Sequence, residues 1–402
     1  MKGIQTQCCN HPETVSETVF LVLISLYTYL AILDDSLLDL TSVVRILSQT
    51  IVIIGIILFF YRNHGLPPIR KLVFCAAILI AFYIAAKASE REYLIVYAVF
   101  LIAAEGAEPN KALKVWLLST VLALLTIFVL CVTGYLPDYI LYSEQKGTMH
   151  CLGFSYHSLV PFLVFYCSIV YICLQRDKVR LFHYAAVVLV NLLVYHLTKL
   201  YLTFYLTFIF VALDGLLICL KKFNLNRKAV TVFSGMFFPL GITATYLAMR
   251  FYKPENAAWV KLDRMLHNRL HLMHIGYLRY PISLFGNHIE MIGNSALRTV
   301  EPEEYFYIDS GFAYSLLGYG LIFSFVAVCL YSLLCVSACR RNDKHLFAWL
   351  VCVLIFTMMN NVWIDVYYNP ALLLSFAAYL ELSTLLIKKD TPVGSGTTGE
   401  NP

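Results

Sequence analysis

Apolar runs of roughly 18 residues or more recur along the whole chain, and this repetition limits the fold more than any other feature. Each run is long enough to cross a bilayer as a helix, whose backbone satisfies its own hydrogen bonds in a solvent that offers none. Only 14% of the 402 residues are charged, where a soluble domain carries about 25%. Mean hydropathy is +0.72. A transmembrane β-barrel would instead alternate apolar and polar residues over ~10-residue segments. The expected fold class is therefore all-α: a polytopic integral membrane protein with about 12 transmembrane helices and one large extracytoplasmic loop.

The apolar runs predict helices at about 19–33, 46–61, 72–87, 93–106, 113–134, 158–174, 181–197, 200–220, 229–250, 311–335, 346–363 and 370–387. Residues 1–18 carry Glu13 and Glu17 and lack a basic segment before a short apolar core. They read as a cytoplasmic tail rather than a cleaved signal. Residues 19–252 then hold helices one to nine, 253–310 the large loop, 311–387 helices ten to twelve, and 388–402 a Gly/Thr/Pro-rich cytoplasmic tail expected to be disordered. The cysteines lie mostly inside apolar runs, where they act as small hydrophobes.

Loop charge alternates with this helix count. One side collects 18 of the 30 basic residues, including Arg70, Lys71, Arg176, Lys221, Lys222, Arg340 and Arg341. The short loops of the other side carry Asp34, Asp35, Glu90, Glu92, Asp138 and Asp365. The excess of Lys and Arg marks the cytoplasmic side, so both termini are expected in the cytoplasm and the 253–309 stretch outside.

That stretch is the long polar segment of the chain. It holds Arg264, Arg269, Arg279 and Arg298 with His267, His271, His274 and His288. An extracytoplasmic loop so rich in cations suits an anionic ligand; arginine grips phosphate oxygens in pairs and stays charged. Apolar residues at Leu262, Leu266, Leu270, Met273 and Tyr277 predict one amphipathic helix, its opposite side carrying Arg264, His267, Asn268 and His271. A basic surface helix beside lipid head groups has the same pattern. His267, His271 and His274 share one helical face, but no carboxylate completes a ligand set and no metal is expected. Asp309 precedes the tenth helix, where a carboxylate caps the helix or serves as a base for an incoming hydroxyl. Lys199 runs against the charge trend; it either snorkels to the interface or lines a cavity that accepts phosphate. Asn360, Asn361, Asp365 and Asn369 cluster where helices eleven and twelve meet the outside; they pack helices or bond a sugar.

The runs Leu266-His-Asn-Arg269-Leu, Tyr280-Pro-Ile-Ser-Leu-Phe-Gly286, Tyr307-Ile-Asp309-Ser-Gly-Phe and Leu317-Gly-Tyr-Gly320 resemble those of the Wzy-type polysaccharide polymerases, of the wider O-antigen polymerase and ligase group. Leu152-Gly-Phe-Ser-Tyr-His-Ser158 resembles a motif that this group carries before a membrane helix, with Tyr-His-Ser where the group has H-P-N. The resemblance implies a GT-C-like helical membrane fold. It also implies undecaprenyl-pyrophosphate-linked oligosaccharide substrates and a glycosyltransferase that needs neither metal nor cofactor. The expected partners are that lipid-linked glycan, membrane lipid, a chain-length regulator and a flippase, with no nucleic acid. Position by position, it puts Arg269 on the departing pyrophosphate. Asp309 stands where ligase relatives have a His, and Lys199 stands in a Thr198-Lys-Leu-Tyr201 segment where the family has T-x-S-R. Arg264, Arg279, His157, His271 and Asn361 complete the expected substrate-binding set. An O-antigen-ligase-like transferase and a lipid-linked oligosaccharide flippase or transporter are the alternatives; visible half-repeats, which would favour a transporter, are absent.

Overall fold

The computed structural model describes residues 11–390, apart from 145, 296, 299 and 302. The protein is mostly helical, at 72%. In chain order the helices are α1 (His11–Asp34), α2 (Thr41–Asn63), α3 (Ile69–Ser89), α4 (Tyr93–Ala103), α5 (Pro109–Val132), α6 (Leu159–Gln175), α7 (Leu181–Thr198), α8 (Tyr201–Cys219), α9 (Lys228–Gly235), α10 (Phe237–Phe251), α11 (Ala257–Met265), α12 (Arg269–Arg279), α13 (Gly311–Tyr314), α14 (Gly320–Arg340), α15 (Lys344–Met359) and α16 (Ser375–Asp390). Strands β1 (Ile140–Ser143) and β2 (Gly147–His150) form an antiparallel hairpin between α5 and α6.

All twelve apolar segments are helical. Among the described residues nine helices are long and apolar enough to cross a membrane, and three apolar helices are shorter: Tyr93–Ala103, Lys344–Met359 and Pro370–Ser383. The outward faces confirm the solvent. Ile53 is 61% exposed, Leu122 57% and Leu193 59%. In water such contiguous apolar faces would aggregate, whereas hydrocarbon covers them without cost.

The helices depart from the expected pattern in four places. The first begins at His11, so residues 11–18 extend α1 rather than form a tail. The ninth divides into α9 and α10 at Met236. The tenth contains a π-helical turn at Ser315–Tyr319, between α13 and α14. The predicted 262–277 helix is broken into α11 and α12, because His267 and Asn268 both adopt left-handed backbone, with φ of 54° and 63°. The break has a polar cause: buried Asp263 bonds the Asn268 amide through its own carbonyl, at 3.0 Å, and the His271 amide through its carboxylate, at 3.1 Å. Of the predicted disordered tail, 388–402, residues 388–390 instead continue α16, and 391–402 lie outside the described residues.

α4 is buried almost throughout and packs between α2 and α3. Its eleven residues rise only ~16 Å, about half of a hydrocarbon core. Its apolarity on every side follows from burial in protein rather than in lipid. Below it, Lys71 pairs with Glu105, and Arg62 bonds the Ala103 carbonyl at 2.6 Å. α14 runs through the centre, fully buried at Phe323, Tyr331 and Leu334. Its Tyr331 ring stacks on Phe238 at 4.4 Å and on Trp363 at 5.1 Å.

The segment 283–287 docks on the π-helical turn. The Asn287 amide donates to the Gly318 carbonyl at 3.0 Å, and the Leu321 amide donates to Ser283 at 3.0 Å. Backbone meets backbone there, which requires glycine at both Gly286 and Gly320. Both have positive φ (99° and 87°), and a Cβ on either would collide with the facing main chain. This contact anchors the return of the large loop towards Asp309.

Candidate functional site

The site forms at the end of the bundle where α12, the Asp309 segment, the β-hairpin and the α6 entry converge. The helix break at 267–268 makes Arg269 the first residue of α12. A cation sits there against the positive end of the helix dipole. What compensates it is Asp309: Arg269 Nε lies 3.3 Å from the carboxylate, and the two side chains remain 19% and 24% exposed. The pair is thus mostly buried. Its consequence is geometric: one cation and one carboxylate are held side by side at a partly accessible edge.

Asp309 is free for this because Ser310 caps the following helix, its Oγ accepting the Ala313 amide at 3.4 Å. The capping role foreseen for Asp309 thus belongs to its neighbour. Burial raises the Asp309 pKa, against the opposing pull of Arg269.

Lys146, at the tip of the β-hairpin, is the second cation of the site. Burial first, and then repulsion from Arg269, lower its pKa; its ammonium lies 5.9 Å from the Tyr201 ring centroid. The hairpin is fixed at its base by Asp138, which contacts His150 Nδ1 at 2.6 Å and accepts the Leu152 amide at 2.7 Å. Sequence spacing gave no signal for Lys146, since the turn that aims it is set by strand register.

His157 lies beside it, 5% exposed. Neither ring nitrogen has a partner among the described residues. Burial, then Lys146, lowers its pKa to about 4, so the ring is neutral at pH 7 with one N–H to donate. An unpaired buried polar group costs about 1–3 kcal/mol, so a partner for this ring has a large return.

Tyr156, Tyr305 and Tyr307 surround Arg269 and Asp309, all held protonated by burial. Tyr307 hydrogen-bonds Asn361 and connects the site to a second polar cluster. There the Arg91 guanidinium packs 4.4 Å over the Tyr314 ring and donates to Tyr93 at 3.0 Å and Tyr319 at 3.2 Å. Asp365 is pushed up to about 7 by burial, which outweighs Arg91. Asp35 accepts from Tyr367 at 2.9 Å and Tyr368 at 2.7 Å. Arg91 follows an acidic residue in a short loop and looks unremarkable in sequence; only packing encloses it.

The remaining expected residues disperse. Lys199 follows α7 in left-handed backbone, φ 54°, and the cation that Arg269 repels is Lys146. Arg264 is exposed at the end of α11. Arg279 packs 4.8 Å over Phe306, at the far end of α12 from Arg269. His271 is exposed, and its ring lies 6.0 Å from that of Tyr252. The three-histidine face does not form, because His267 precedes α12 and His274 Nδ1 contacts the Met249 carbonyl at 2.7 Å. Among the described residues no group of three or more His, Cys, Asp or Glu converges as a metal site.

Comparisons with protein-family models, with curated proteins and with solved structures find no match. The site's own geometry therefore carries the functional argument.

Proposed function

We propose that this protein is a glycosyltransferase that joins lipid-diphosphate-linked oligosaccharide units into a polysaccharide at the extracytoplasmic face of a bacterial cytoplasmic membrane. The observation that carries the reading is Arg269 beside Asp309 at a partly accessible edge, with Lys146 close enough to Arg269 to be repelled by it. In this reading all twelve apolar helices lie in the membrane, in a GT-C-like arrangement with both termini cytoplasmic. The loop charges support that orientation.

The chemistry follows from the residue types. An acceptor sugar hydroxyl attacks the anomeric carbon of the donor glycan. The carbon–oxygen bond to the diphosphate breaks, and the electron pair leaves with the diphosphate. Arg269 and Lys146 stabilise that charge. Asp309, its pKa raised by burial, takes the hydroxyl proton. Tyr307, Asn361 and Tyr305 supply hydrogen bonds for the sugar. Both substrates are tethered to the bilayer, so proximity lowers the barrier further.

The test is purified protein with a defined lipid-linked repeat unit. Growth of a glycan ladder supports the reading. Transfer of finished glycan to a different acceptor points to ligase chemistry instead, and movement across vesicles without growth points to a transporter.

A further inference from the structure

A groove of about 600 Å³ opens sideways between α5, α6 and α7. Leu118, Val121, Phe128, Val164, Val190 and Leu197 represent its almost wholly apolar lining. The lining runs from Leu117 to Phe128 on α5, from Val160 to Tyr171 on α6 and from Ala186 to Leu197 on α7. Eleven residue steps along a helix rise ~16 Å, about half of a ~30 Å hydrocarbon core. The groove therefore has the depth of one leaflet.

It ends at the functional site. Leu152, Phe154 and Val160 line it and flank His157 in the chain. Leu197 lies just before Tyr201, the ring that Lys146 faces. Apolar groove, unpartnered imidazole, Lys146, Arg269 and Asp309 thus follow one another in space. That is the order of parts in a hydrocarbon chain carrying a diphosphate and a sugar.

We propose that this groove holds the hydrocarbon chain of a polyisoprenyl phosphate, with the phosphate nearest the chain seated on Lys146 and His157. The proposal rests on the reading above that the substrate is a lipid diphosphate; it adds the path of the lipid and the role of His157. His157 donates one N–H to a phosphate oxygen, and Lys146 supplies the charge. The phosphate bearing the sugar then falls to Arg269. A polyisoprenyl phosphate is favoured over a two-chain phospholipid because its phosphate is bonded directly to the chain. Phe154, in the groove lining, and His157 are three residues apart in the chain, so the end of the groove and the imidazole belong to one short segment.

The experiment uses the full chain in nanodiscs and a polyisoprenyl monophosphate with a diazirine near the phosphate end of its chain. Crosslinked peptides from α5, α6 and α7 are expected. Val164→Trp or Val190→Trp, which fill the groove, should weaken capture about tenfold. Ile56→Trp, on the lipid-facing side of α2, should leave it unchanged. His157→Phe should weaken capture of the monophosphate but not of the uncharged polyprenol. Crosslinks on α10 and α12 instead would overturn the groove. Equal competition by phosphatidylglycerol would overturn the occupant. Capture needs no catalysis, so groove labelling without any glycan product would refute the polymerase reading and leave the groove standing. A glycan ladder from a protein with Val164→Trp and Val190→Trp would refute the groove alone.

Discussion

Arg269 Nε lies 3.3 Å from the Asp309 carboxylate, although 39 residues separate the two in the chain. Both are positioned by rigid neighbours: Arg269 by the left-handed break before α12, Asp309 by the Ser310 cap after it.

Arg269→Ala should lower the rate of glycan extension about 10²–10³-fold, the usual loss on removing a group that stabilises developing charge. Asp309→Asn should retain lipid binding and lose turnover. Because burial raises the Asp309 pKa and the base must be ionised, wild-type kcat should fall as pH falls through that raised value. This acid limb should vanish in Asp309→Asn. Rates across pH with purified protein measure all three.

The two neighbours 309 and 310 should separate cleanly. Ser310→Ala removes the cap and should cost about 1 kcal/mol of stability. Asp309→Ala leaves the cap in place and should change the thermal midpoint less while abolishing activity. Unfolding in detergent, followed by tryptophan fluorescence, is the measurement.

Burial and repulsion from Arg269 both disfavour the charge on Lys146. Lys146→Gln should weaken binding of the lipid diphosphate about tenfold and flatten its salt dependence. Without ligand the variant should be at least as stable as wild type, since a like-charge contact has been removed. Titration at two ionic strengths checks the first part and thermal unfolding the second.

Gly286→Ala places a Cβ against the Gly318 carbonyl in a left-handed backbone. It should destabilise by roughly 1–3 kcal/mol through overpacking and strain. Gly215→Ala is the contrast. It meets open space within a helix and should be neutral or stabilising by up to ~1 kcal/mol. Paired melting curves decide the matter.

His157 has a folded pKa of about 4 against an ordinary 6.5. Between those values the unfolded chain binds a proton that the native site refuses, so stability falls as pH is lowered. The loss approaches ~3 kcal/mol at pH 4 and is absent above pH 6.5. His157→Gln should remove that slope. Denaturation at pH 7, 6, 5 and 4 measures it.

The sequence by itself determined the solvent and the secondary structure. Hydrocarbon-length apolar runs must be helices, because nothing in a bilayer satisfies an open backbone. It also singled out the polar stretch and Asp309 at its end, since charge in such a chain is expensive and concentrated; the family resemblance picks Arg269 from the loop's arginines. Local periodicity still failed at Leu262–Tyr277, where apolar spacing alone favoured one helix. A buried Asp263 carboxylate won over propensity, and the break it stabilises places Arg269 at a helix start.

Only the tertiary structure decided which charges meet. Lys146 reaches Arg269 through a hairpin whose register depends on cross-strand pairing, while Lys199 follows α7 with its own backbone turned left-handed. The orphaned ring of His157 and the enclosure of Arg91 by Tyr93, Tyr314 and Tyr319 likewise come from elements distant in the chain. Helical pattern is a property of neighbours in sequence. Burial and ion pairing are properties of neighbours in space, and in this protein the functional ones are joined by loops whose course no local rule dictates.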